Sequence, residues 1–101
     1  MGWLTRLFGG GTDWTELIEN RKAQIVDVRS PGEYRSGHLK NSVNIPLDQL
    51  KTKAGKLDKQ RPVIVCCASG VRSRMGKSSL NAMGFDAHNG GAWTSLKKWT
   101  S

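Results

Sequence analysis

Two cysteines stand side by side where an apolar, β-branched run meets a loop of small residues and an arginine: VIVCCASGVRS, Val63 to Ser73. Cysteine attacks as the thiolate, and a thiolate is favoured where backbone N–H groups and a helix N-terminus converge on one point. Ala68, Ser69, Gly70, Val71 and Arg72 can turn their N–H groups around such a point, and a helix starting near Ser73 adds its unpaired donors and its dipole. Gly70 removes a side chain where so short a loop must curl. The nest also suits an anionic ligand, so Ala68, Ser69, Gly70, Val71, Arg72 and Ser73 are the candidate binding residues and Cys67 the candidate nucleophile. Side chains alternate along a strand. If Cys66 still belongs to the strand, it points into packing while Cys67, one residue past the strand, begins the turn. Cys66 then reads as a small buried hydrophobe, with a resolving or relay thiol as the other reading. Arg72 has two roles open to it: contact with the anion, which is preferred, or a brace tying the loop to a neighbouring carboxylate.

The frame of the loop depends on which cysteine starts it. Counted from Cys66, Arg72 falls at the C-x5-R spacing of cysteine-dependent phosphatases, but Ser69 stands where such a loop carries glycine. Counted from Cys67, Gly70 and Arg72 give C-x-x-G-x-R, which resembles the active-site loop of the rhodanese (sulfurtransferase) family. The stretch Ile25 to Leu50 resembles the first signature of that family through Asp27, Arg29, Glu33, the Gly37–His38 pair and Asn44 to Leu47. Met83-Gly84-Phe85 followed by Asn89-Gly90-Gly91 resembles its final strand and double glycine, and the likeness covers roughly Trp14 to Trp99. The chain departs from the family in having Cys66 before the catalytic position, no clear strand ahead of Trp14, and Ser95 where a tryptophan is common, with Trp93 displaced.

The resemblance implies a two-step sulfur transfer. Cys67 takes the outer sulfur of thiosulfate or a related anionic donor, sulfite leaves, and cyanide, a thiol or a sulfur-carrier protein accepts the sulfur from the persulfide. It implies no metal and no organic cofactor. It places Asp27 and Arg29 behind the loop, as a carboxylate and its ion-pair partner. His38 and His88 read as structural, and two histidines with adjacent cysteines do not make zinc-ligand spacing. The competing functions are a phosphatase or arsenate reductase built on Cys66, and a non-catalytic binding module of the same fold.

These residues need a frame. Gln24 to Val28 reads as a buried strand, Ser30-Pro31 opens a short helix, Ser42 to Ile45 is a second strand stopped by Pro46, and Leu47 to Leu50 begins another helix. Lys51 to Arg61 is a polar connector, Pro62 to Cys66 the central strand, Ser73 to Met83 a helix with Met75, Leu80 and Met83 near one face. Phe85 to His88 is a last short strand, and Ala92 to Trp99 a closing helix packing Trp93, Leu96 and Trp99 inward. Such alternation predicts an α/β, three-layer, rhodanese-like domain, with a central parallel sheet covered by helices on both faces. Ligands bind beyond the carboxyl ends of such strands, where the cysteine loop falls.

The chain of 101 residues has room for one domain. We divide it into an apolar arm and glycine linker at 1–11 and a single domain at 12–101. In the arm, Trp3, Leu4, Leu7 and Phe8 pack on the domain or, in the other reading, dock a partner or touch a membrane surface. The arm is a poor secretory signal, and Arg6 breaks the myristoylation pattern. No apolar stretch is long enough to span a membrane. Adjacent cysteines are not a disulfide framework, which points to the reducing cytoplasm. The net charge of +8 raises the question of nucleic acid, but the basic run Lys51, Lys53, Lys56, Lys59 and Arg61 contains no aromatic residue. The expected partner is therefore a small anion drawn to the cleft, and not nucleic acid.

Overall fold

The computed structural model describes residues 12–100. The amino-terminal arm, and with it every expectation for Trp3, Leu4, Leu7 and Phe8, lies outside the described residues. Four strands form one parallel sheet: β1 (Gln24–Asp27), β2 (Val43–Asn44), β3 (Val63–Cys67) and β4 (Ala87–Ala92), in the order β2-β1-β3-β4. The α/β class with a central parallel sheet is as expected. The chain leaves β1 toward one edge and β3 toward the other, so the carboxyl ends of β1 and β3 form the topological switch point where ligands bind in such sheets.

Period-two alternation divides the core. Val26, Val63, Val65 and Cys67 face one side, against Leu50, Ala54, Leu57, Leu80 and Phe85. That layer is built from α2 (Leu50–Lys53), the 3-10 turn Ala54–Lys56 and α3 (Val71–Ala82). Ile25, Ile64 and Cys66 face the other side, against Leu17, Leu39 and Leu96, with Trp14, Ile18 and Trp93 packed around them. Here the cover is a π-helical turn at Glu16–Asn20 and a 3-10 helix at Trp93–Trp99. The adjacent cysteines thus belong to opposite faces of the sheet.

Several sequence expectations need correction. Cys67 is the last residue of β3, paired with Ala92, and not one residue past the strand. The last strand is Ala87–Ala92, running through the double glycine instead of stopping at His88. It does so through an irregularity between Val65 and Cys66, where the partner steps from Asn89 to Gly91. Gly90 occupies the extra position: a Cβ there would come within 2.8 Å of Ile64 Cγ2 and Leu96 Cδ1. The supposed connector after Leu50 begins as helix and buries Ala54 and Leu57. Met75 is 56% exposed and Trp99 37% exposed, so neither packs inward as expected. Met75 sits on the solvent side of α3, whose buried stripe is Ser73, Gly76 and Leu80.

The remaining helix near the site is α1 (Pro31–Ser36), opened by a complete capping box. Ser30 Oγ accepts from the Glu33 N–H, and Glu33 Oε1 accepts from the Ser30 N–H. Such reciprocal caps satisfy two otherwise unpaired donors and hold the Glu33 carboxylate at one place. Among the described residues, no helix is long and apolar enough to cross a membrane.

Candidate active site

The loop from Cys67 to Ser73 turns back over the sulfur. Gly70 makes this possible: it caps α3 with φ of +105°, in the left-handed region that a side chain disfavours. Its N–H then points at Cys67 Sγ, 2.9 Å away. The Ser73 N–H, from the first turn of α3, donates to the same sulfur at 3.3 Å, and the Cys67 thiol lies 3.4 Å from Ser73 Oγ as donor. Burial pushes the Cys67 thiol up. The Ser73 hydroxyl, once its proton turns to the sulfur, and the N–H groups of Ser73, Gly70 and Ser69 more than offset this, leaving it below the ordinary thiol value. N–H groups converging on one sulfur favour its thiolate form, and Cys67 itself is fully buried beneath the loop.

Cys66 has the opposite environment. It is fully buried among apolar side chains, and desolvation, with the nearby Asp27 carboxylate adding to it, pushes its thiol up to about 12. It also lies on the face of the sheet away from α3.

The predicted loop residues divide by what they do. Ser69, Gly70 and Ser73 present donors to the sulfur. Ala68 and Ser69 have exposed side chains at the mouth of the loop, and Val71 is 57% exposed. The preferred reading of Arg72 as an anion contact is not the arrangement observed. Its two terminal nitrogens donate to the two carboxylate oxygens of Glu33 at 2.7 and 2.9 Å, the bracing alternative. The planar guanidinium matches a carboxylate in a way that one lysine cannot. This pairing holds the Glu33 carboxyl at about 2, with the Ser30 N–H assisting, and raises Arg72 in turn. Arg72 still borders an open cleft of about 470 Å³, together with Ser30, Pro31, Leu47 and Asp48.

Asp27 and Arg29 pair with each other. Arg29 Nη2 reaches Asp27 Oδ2 at 2.7 Å, Nε contacts both carboxylate oxygens, and both residues are nearly inaccessible. The hydrogen bond to Asp27 raises Arg29 despite burial. The remaining donors of Arg29 reach the carbonyls of Glu33 and Gly37, at 3.3 and 2.7 Å. The pair therefore holds the C-terminal half of α1, and α1 presents Glu33 to Arg72. His38 takes no part: its ring stacks on Tyr34 at 3.8 Å and Nδ1 contacts the Tyr34 carbonyl.

Three contributors were not singled out as site residues. Glu33 completes the loop brace; its capping-box position was readable, but not its partner 39 residues away. Trp93 lies under Arg29, with the guanidinium carbon 4.8 Å from a ring centroid. Asn89 accepts from Ser73 Oγ at 2.6 Å and donates to the Gly70 carbonyl at 3.3 Å. The only sequence signal for Asn89 was its place before the double glycine.

Comparison with known proteins bears on this arrangement. The family model of the rhodanese-like domain matches residues 12–95. The thiosulfate sulfurtransferase GlpE of Shewanella oneidensis is 31% identical over 71 residues, 70% of each chain. The uncharacterized protein YqhL of Bacillus subtilis is 41% identical over 64 residues, 63% of this chain. The match spans about half, 51%, of that relative's own length. Among solved structures, a rhodanese with anions from Escherichia coli superposes with a TM-score of 0.68 at 32% identity, covering 72% of this chain and 89% of the other.

Proposed function

This chain belongs to the rhodanese-like domain family, and from that premise we propose that it is a sulfurtransferase carrying sulfur as a persulfide on Cys67. The observation that carries the reading is the convergence of the Gly70 and Ser73 N–H groups on Cys67 Sγ. In the first step the Cys67 thiolate attacks the outer sulfur of thiosulfate. A sulfur–sulfur bond forms to Sγ, the donor's own sulfur–sulfur bond breaks, and sulfite leaves with the electron pair. In the second, cyanide or a thiolate attacks the terminal persulfide sulfur and the electron pair returns to Sγ. Charge is conserved in both steps, and the negative charge stays within reach of the same N–H donors. Holding the thiol below its ordinary value favours the attacking thiolate form. The acceptor in the cell is a small thiol or a sulfur-carrier protein.

The longer frame built on Cys66 is disfavoured by its thiol, pushed up to about 12, and by its place on the face of the sheet away from α3. Incubation with thiosulfate followed by intact-mass and peptide analysis tests the reading. The expected result is one added sulfur on Cys67, thiocyanate on addition of cyanide, and neither in Cys67→Ser. An adduct confined to Cys66, or aryl phosphate hydrolysis that depends on Cys66, overturns it.

A further inference from the structure

We propose that Asn89, on β4 and outside the loop, is a positioning residue that competes with the Cys67 sulfur for the single proton of the Ser73 hydroxyl. The proposal rests on the reading of Cys67 as the nucleophile and adds a control on its ionisation.

The argument is donor and acceptor accounting. The Gly91 N–H donates to Asn89 Oδ1 at 2.9 Å. A backbone N–H can only donate, so the orientation of the amide is fixed. The other amide atom, Nδ2, then donates to the Gly70 carbonyl. Ser73 Oγ lies 2.6 Å from Oδ1, which has no hydrogen to give, so Ser73 commits its one proton to Asn89. Toward Cys67 Sγ, at 3.4 Å, the hydroxyl can then offer only a lone pair. That suits the thiol, which donates. It opposes the thiolate, which needs a donor. For the thiolate to gain this hydrogen bond, the proton must turn from Oδ1 to Sγ. Ser73 has no exposed surface, so the exchange is between these two acceptors and not with bulk water.

Asn89 reaches Ser73 because of the β4 irregularity. Asn89 pairs with Val65, on the α3 side of the sheet, and the step over Gly90 lets Gly91 turn its N–H back onto the Asn89 side chain. Asn89 also steadies the loop through Gly70, whose N–H supports the thiolate. Its two effects therefore oppose each other, and only the first passes through the Ser73 proton.

A double-mutant cycle separates them. Thiolate formation is followed by ultraviolet absorbance against pH in the wild-type protein, Asn89→Ala, Ser73→Ala and the double variant. Burial pushes the Cys66 thiol up to about 12, and Cys66 and the one tyrosine, Tyr34, are common to all four proteins, so their ultraviolet contributions cancel in the cycle. The charged pairs on neighbouring elements, Arg72 with Glu33 and Asp27 with Arg29, are present in all four proteins. Removing Asn89 should raise the thiolate fraction below the midpoint about fivefold more when Ser73 is present than in the Ser73→Ala background. Equal effects in the two backgrounds, or a larger one without Ser73, overturn the proposal, because a purely structural role does not depend on that proton. If Asn89→Ala does not fold, Asn89→Leu takes its place in the cycle, with the same two outcomes. The readout needs no sulfur donor, so failure of the sulfur-transfer reading leaves it interpretable.

Discussion

Alkaline unfolding offers a test of the two cysteines that requires no substrate. Burial, with Asp27 close by, moves the Cys66 thiol from 9.0 to about 12. The unfolded chain releases this proton near the ordinary value while the fold retains it. The native state therefore binds more protons between about pH 9 and pH 12, and stability must fall as pH rises through that window. The contribution is fully present below the unfolded value and lost as the folded value is approached. Each unit costs about 1.4 kcal/mol, so the window amounts to roughly 4 kcal/mol. That is a large share of the ~5–15 kcal/mol that holds a small domain together. The assay is urea unfolding, under reductant, at a series of alkaline pH values for the wild-type protein and Cys66→Ala. At neutral pH the variant should be less stable by about 1 kcal/mol, for the packing lost in a fully buried site. As pH rises its stability should fall less steeply, so that the two curves cross. Cys67 is shifted the other way and is common to both proteins, so it cancels in the comparison. Parallel curves would refute the assignment of Cys66 as the thiol that the fold keeps protonated.

Arg72→Lys should slow persulfide formation and sulfur release alike, roughly threefold to tenfold, because one lysine cannot hold both Glu33 oxygens and the loop loosens. Single-turnover measurements of the two half-reactions check this, and a defect confined to the donor step would restore the role of Arg72 as a donor contact. Gly90→Ala should lower stability by about 1–3 kcal/mol in urea unfolding. Its new Cβ would fall 2.8 Å from Ile64 Cγ2 and Leu96 Cδ1, beside a backbone carbonyl; an unchanged midpoint would mean that β4 does not cross the sheet as described.

Legibility in the sequence followed the range of the interactions. The strand alternation that separates Cys66 from Cys67 is local, and so is the capping box of Ser30 and Glu33; each could be read from neighbouring residues. The parallel sheet followed from the order of the elements. The failures were long-range or irregular. Nothing local says that Met75 turns to solvent, since α3 docks through Ser73, Gly76 and Leu80. The last strand runs on past His88 because the sheet accepts glycine where a side chain at Gly90 would collide with Ile64 and Leu96, and no local pattern signals that crossing. The site showed the same division. The turn of the loop over Cys67 was legible, whereas Glu33 and Asn89 enter it from elements far away in the chain.

The brace around Arg72 changes where anion attraction must come from. A carboxyl group held at about 2 remains ionised throughout the neutral range, so the Arg72 charge is already matched before any donor arrives. A dianion such as thiosulfate would have to displace two short hydrogen bonds to use it. The Gly70 and Ser73 N–H groups face the sulfur and carry no counter-charge of their own, and a helix N-terminus adds a favourable potential for an anion. Beyond them the chain carries an excess of basic side chains, +8 in all, and such a surplus favours the approach of anions without fixing their orientation. Position at the loop is thus set by backbone: the Gly70 and Ser73 N–H groups hold the Cys67 sulfur, and Arg72 with Glu33 ties the loop to α1.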